Sequence, residues 1–189
     1  MKVANIVHLA VGGAVLLLTG LASASPFDKK EALQNISFHV TSPNKAVGNT
    51  VRILPAGLQI DNSPIEMDIQ GIVTGAEVAD LNADQSPEIY IYLLEPGAEN
   101  RMSLLAFSAN KKKSLSGIYL SDLGDTKVNH KGYCGSDQLA VAGRKFLRRF
   151  PLCDKNKQPT GRLRQLQYKL KAGEAGWLLK LEKAKTVPG

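Results

Sequence analysis

Apolar and polar positions alternate with period two along much of this chain, and the stretch around which the rest is organised runs from Ile72 to Leu94. In its second half Ile89, Ile91 and Leu93 fall on one side and Tyr90, Tyr92 and Leu94 on the other, because successive strand side chains point to opposite faces. A β-branched and aromatic run that is apolar on both sides predicts a strand covered on both faces, near the middle of a sheet. Between the two halves, Asp80-Leu81-Asn82-Ala83-Asp84-Gln85-Ser86-Pro87 is dense in residues whose side chains bond their own backbone, which predicts a hairpin centred near Asp84.

The same alternation recurs elsewhere in shorter runs. Ile36–Val40, Val51–Leu54, Ile65–Ile69 and Met102–Phe107 each read as a strand. Asp137–Val141 and Phe146–Phe150 flank Gly143-Arg144-Lys145 as a second hairpin. Leu166, Tyr168 and Leu170, then Trp177, Leu179 and Leu181, form the apolar faces of a last pair. Residues 25–35 are polar, with at most a helical turn at Asp28–Leu33, and read as a lead-in. Ser116–Leu120 is a short strand or loop. Short strands at close intervals, with no long 3.6-residue period, predict an all-β protein: an antiparallel β-sandwich or barrel-like meander.

The amino terminus changes the picture of where this fold matures. Lys2, the apolar run Ala10–Leu21 and the small-x-small triplet Ala22-Ser23-Ala24 have the form of an export signal, with cleavage expected after Ala24. The run falls short of the roughly 20 apolar residues of a spanning helix. The expected organisation is a signal peptide at 1–24 and one β domain at 25–189, in the periplasm, with no membrane span. Cys134 and Cys153 are the only cysteines, and an oxidising compartment would join them.

Candidate chemistry is sparse. His39 lies in a strand and His130 in a loop, and no serine elbow, P-loop or dinucleotide fingerprint accompanies them, so the chain is expected to be a non-enzyme without a resident cofactor. Asp80, Asn82, Asp84, Ser86 and Glu88 place oxygens at alternate positions, as a calcium loop does. Gln85 stands where such a loop wants glycine and Ile91 where it wants its bidentate glutamate, so the plainer reading is a turn held by Asp and Asn side chains. The formal net charge is +7, with Lys111, Lys112 and Lys113 together and Arg144, Lys145, Arg148, Arg149, Arg162 and Arg164 crowding the second half. Export and the lack of interleaved aromatics argue against nucleic acid. A solvated basic surface and an acidic protein or cell-envelope partner both fit.

Beside the lysine run stands Ser116-Gly117-Ile118-Tyr119, and with Ala76–Asn82 and Pro87-Glu88-Ile89 it resembles the periplasmic inhibitors of invertebrate-type (i-type) lysozyme, over roughly Ile65 to Tyr119. The resemblance implies an exported β-sandwich whose Ser-Gly-x-Tyr loop enters the lysozyme cleft. Ser116, Gly117 and Tyr119 would then touch the partner, and Lys111, Lys112 and Lys113 would steer the encounter. The competing reading of the same residues is a turn at Gly117, Ile118 in the core and Tyr119 packed at the sheet rim. Oligomeric state stays open, a homodimer included. The alternative function is a periplasmic binding or structural module for an acidic envelope component, with or without calcium.

Overall fold

The computed structural model describes residues 24–97, 99–125, 129–174 and 176–189. The expected signal peptide therefore lies outside the described residues except for Ala24. No helix among the described residues is long and apolar enough to cross a membrane.

The described residues form twelve strands in two sheets. The smaller sheet is an antiparallel meander of β1 (Phe27–Leu33), β2 (Ile36–Ser42), β3 (Asn49–Ala56) and β4 (Ile65–Ile69). The larger has eight strands. β5 (Ile72–Ala79), β6 (Glu88–Leu94), β7 (Met102–Asn110) and β8 (Ser114–Leu120) run as a second meander. After a short 3-10 turn at Leu123–Asp125 the chain crosses to the far edge and returns as β9 (Gln138–Ala142), β10 (Lys145–Cys153), β11 (Pro159–Gly173) and β12 (Gly176–Pro188). The spatial order is β5-β6-β7-β8-β12-β11-β10-β9.

The expected all-β architecture and the hairpin around Asp84 are present. Two expectations are corrected. β12 joins β8 in parallel, so the large sheet is not purely antiparallel. Residues 27–33 are a full strand paired along its length with β2, not a lead-in: Phe27 and Ala32 are partners of Ser42 and Ser37. The mostly polar composition of β1 reflects its place at a sheet edge, and Lys29 Nζ donates across to the Ala76 carbonyl of β5 at 2.8 Å.

β6 is the central strand, buried from Glu88 to Leu93. Ile89, Ile91 and Leu93 enter a core shared with Phe38, Val40, Val51 and Ile53 of the small sheet. Tyr90 and Tyr92 enter the second core, inside the curl of the large sheet, with Phe146, Phe150, Tyr168 and Leu179. Tyr90 stacks on Phe146 at 5.7 Å, and Phe146 meets Tyr168 at 6.1 Å. Complete burial of each such side chain contributes about 1.5–3 kcal/mol, so this one strand supports two cores at once.

Polar groups join what the cores leave open. The large sheet is nearly closed into a barrel. At the gap between its edge strands, Glu77 Oε2 of β5 accepts the Val141 N–H of β9 at 2.7 Å and also the Tyr92 hydroxyl. At the other junction, the buried Asn44 side chain behaves like a strand residue toward β5. Its Nδ2 donates to the Val73 carbonyl at 3.0 Å, and its Oδ1 accepts the Val73 N–H at 2.9 Å. Asp137 is a third such joint. It accepts Arg148 Nε and Nη2 at 3.0 and 2.9 Å, the Tyr133 hydroxyl at 2.7 Å and the Met102 N–H at 3.0 Å. Arg148, expected among the surface basic residues, is thus buried and paired.

Cys134 and Cys153 form a disulfide across a separation of 19 residues, as expected. By the chain-entropy model that loop contributes about 3 kcal/mol.

Asp137→Ala should cost about 3–5 kcal/mol in urea unfolding, because it strands the Arg148 charge inside the protein. Arg52→Ala, which breaks the exposed Arg52–Glu66 pair, should cost less than about 1 kcal/mol.

Candidate functional site

Ser116–Tyr119 does not form a projecting loop. The four residues lie within β8, where Ser116 and Gly117 pair with Ser108 and Phe107 of β7, and Ile118 and Tyr119 pair with Trp177 and Leu178 of β12. With a partner strand on each side, this backbone is inside the sheet and cannot be inserted into a cleft. Alternation then decides each side chain. Ser116, Ile118 and Leu120 share the barrel-interior face, while Gly117 and Tyr119 point out.

Ile118 is buried and Tyr119 is 63% exposed. The Ser116 hydroxyl is buried without a hydrogen-bond partner, so it does not reach a docking protein. Gly117 makes no turn and is not needed for a close backbone approach, since a Cβ built there meets nothing within 4 Å. Of the expected motif, Tyr119 alone offers a large side chain to solvent.

Lys111 and Lys112 form the tight β7–β8 turn, with φ of 50° and 56°. The turn is backed by the small-sheet loop: Gln59 N–H donates to the Lys112 carbonyl at 2.8 Å and Ile60 N–H to the Lys113 carbonyl at 3.0 Å. Lys113 and Tyr119 are at opposite ends of β8, about 20 Å apart at the strand rise of about 3.3 Å per residue. The lysines and the tyrosine are therefore not one patch.

What surrounds Tyr119 comes from β7, β8 and the β11–β12 hairpin. On one side is an open depression of about 420 Å³, lined by Gly117, Gly173, Gly176, Trp177 and Leu178 and largely apolar. On the other is a polar hollow of about 320 Å³, lined by Glu95, Arg101, Ser103, Ser121, Asp122 and Arg148. Trp177 and Arg101 were not anticipated as site residues. No local signal marks them: the β8–β12 parallel pairing brings Trp177 in from some sixty residues away, and Arg101 arrives at the start of β7, the other neighbour of β8.

The second candidate, the Asp80–Glu88 loop, is ordered by its own side chains. Asp80 accepts the Asp84 and Gln85 N–H groups at 3.1 and 3.0 Å, and Asp84 accepts the Ser86 N–H at 2.8 Å. Gln34 Nε2, from the β1–β2 turn, donates to Asp80 at 2.8 Å. Asn82 Nδ2 donates to Asp84 at 2.8 Å. Ser86 and Glu88 are buried. Burial raises the Glu88 carboxyl to about 8, with Asp80 and Asp84 adding to the shift and the Leu81 N–H opposing it. Across the sheet, Glu88 is the register partner of Ser108 and Ser108 that of Ser116. All three carry a buried oxygen without a hydrogen-bond partner.

Of the other residues considered, His39 Nε2 sits 2.8 Å from Asp28 Oδ1. Lys145 pairs with Glu182, and Arg149 donates to Gln165 at 2.7 Å. Comparison with known proteins adds no assignment: no protein-family model matches the sequence, and no curated protein matches it significantly.

Tyr119→Ala should change stability by no more than about 0.5 kcal/mol, whereas Ile118→Ala should cost about 2–5 kcal/mol. Chemical unfolding of the two variants checks that one strand carries a core position and a free surface position side by side.

Proposed function

We propose that this chain is an exported, non-enzymatic binding protein that blocks a lysozyme, the invertebrate type foremost, through the outer surface around Tyr119. The observation that carries the reading is the exposure of Tyr119 on a strand held from both sides. An aromatic ring kept in water beside an apolar depression is an anchor without its partner, and such residues dominate protein interfaces at small entropic cost. The resemblance spanning Ile65 to Tyr119 supports it, since that span maps onto β4 through β8, four of whose strands are contiguous in the large sheet.

The mode of binding differs from loop insertion. A lysozyme cleft works with two carboxyl groups, one protonated and one ionised. Tyr119 offers its ring to the cleft wall and its hydroxyl as a donor to a carboxylate, while the adjoining hollow supplies mixed polar groups, Arg101 being paired there with Glu95. Lys111–Lys113, remote from Tyr119, act through the overall positive field and so on association rate, not on the bound contact. The alternative, an acidic envelope ligand held by the basic second half, is weakened by the internal engagement of Arg148 with Asp137 and Lys145 with Glu182.

Lysis assays with invertebrate-, chicken- and goose-type lysozymes test the reading. Inhibition of the invertebrate type is expected, weakened about 30-fold or more by Tyr119→Ala, the size of an interface hot spot. Ser116→Ala should leave it within about threefold, because that hydroxyl faces inward and its loss removes an unsatisfied buried group. Failure to inhibit any class, or full inhibition by Tyr119→Ala, would reject the proposal.

A further inference from the structure

One cluster of groups has no role in the surface around Tyr119. Asp80 follows β5, Asp84 sits at the tip of the connecting loop and Glu88 opens β6, and one carboxylate oxygen from each lies within 4.8 Å of the others. Among the described residues, none of the three carboxylates has an ion-pair partner.

Acidic residues on a turn are ordinarily just solvated, but Glu88 is not solvated. It is 0% exposed, its Oε2 accepts the Leu81 N–H at 2.9 Å and the Tyr90 hydroxyl at 3.3 Å, and its Oε1 is buried with no partner. A buried acceptor left unpaired is costly, and a site that converges two further carboxylates on it, with no arginine or lysine beside them, lacks a positive charge.

We propose that Asp80, Asn82, Asp84 and Glu88 bind a calcium ion, which is the missing partner of the buried Glu88 oxygen. One ion with ligands at about 2.3–2.6 Å can reach oxygens that lie within 4.8 Å of one another. Magnesium holds its ligands in a stricter octahedron at about 2.0–2.1 Å and sheds its waters reluctantly, which a loop of mixed carboxylate, amide and carbonyl oxygens suits less well.

The donor order follows the calcium-loop pattern at alternate positions, Asp80, Asn82, Asp84, then Ser86, whose backbone carbonyl takes the seventh place in such loops. The two apparent defects of the sequence are met by the fold. Gln85 adopts the left-handed conformation, φ 64°, that glycine usually supplies. Glu88, at the ninth position, brings the inner carboxylate that the pattern elsewhere takes from the twelfth.

The ion would tie the end of β5 to the start of β6 at the point where Gln34 of the small sheet also reaches Asp80. This inference stands whether or not the chain binds a lysozyme.

Thermal unfolding of the purified protein in EDTA, in calcium chloride and in magnesium chloride, each salt at about 10 mM, tests the site at concentrations above those of weak extracellular calcium modules. Calcium is expected to raise Tm by roughly 5 °C or more over EDTA, and magnesium by less. The calcium shift should vanish in Asp84→Ala, an exposed position whose loss need not unfold the chain, and in Glu88→Gln. Terbium should give luminescence sensitised by Tyr90 that calcium displaces. Equal Tm in calcium and EDTA, a shift that survives both substitutions, or stabilisation by magnesium equal to that by calcium would overturn the proposal.

Discussion

Two-sided burial of β6 is the constraint from which the remaining architecture follows. A strand with isoleucines on one face and tyrosines on the other cannot be satisfied by one sheet folded on itself. It needs a filled barrel on its tyrosine side and a second layer on its isoleucine side, and the molecule supplies both. The small sheet exists to cover Ile89, Ile91 and Leu93, while β9–β12 curl back to cover Tyr90 and Tyr92. Where apolar area runs out, single polar side chains complete the joints. Glu77 spans the barrel gap, Asn44 docks the small sheet on β5, and Asp137 fixes the long crossover beside β10.

Local patterning made much of this legible. Period-two alternation located most strands, and the apolar character of both faces of Ile89–Leu93 marked the central one, because both signals depend only on neighbours in sequence. Relations between distant segments were not legible. The strand at 27–33 is polar because it is an edge, and it forms through pairing with β2, with Lys29 reaching across to β5. Arg148 looked like one of several surface basic residues, since nothing near it in sequence reveals that Asp137 is aimed at it. Ser116-Gly117 was open to reading as a turn because that pair is common in turns. Antiparallel pairing with Ser108 and Phe107 of β7 keeps it extended, and β12 continues the ladder from Ile118 onward.

The candidate surface inherits its form from these non-local contacts. β8 presents Tyr119 because its neighbours on both sides lock the alternation, burying Ile118 and Ser116 and leaving the next residue no place but the outside. A ring held this way loses little further freedom on docking, which favours affinity through preorganisation. The Asp80–Glu88 loop shares the same logic at the other side of β6. Its last carboxyl is buried by the strand that follows, so a sequence feature that looks like an ordinary turn ends in a buried oxygen without a partner.

Native-state hydrogen exchange at the β6 amides tests most directly whether one doubly buried strand unites both sheets. If it does, the amides of Ile89 to Leu93 exchange only through global unfolding, with protection equal to the full unfolding free energy and the same denaturant dependence as strands of the small sheet and the barrel. Exchange of β6 by a smaller, sub-global opening, or release of the small sheet while β6 stays protected, would show two units merely in contact and would contradict the account.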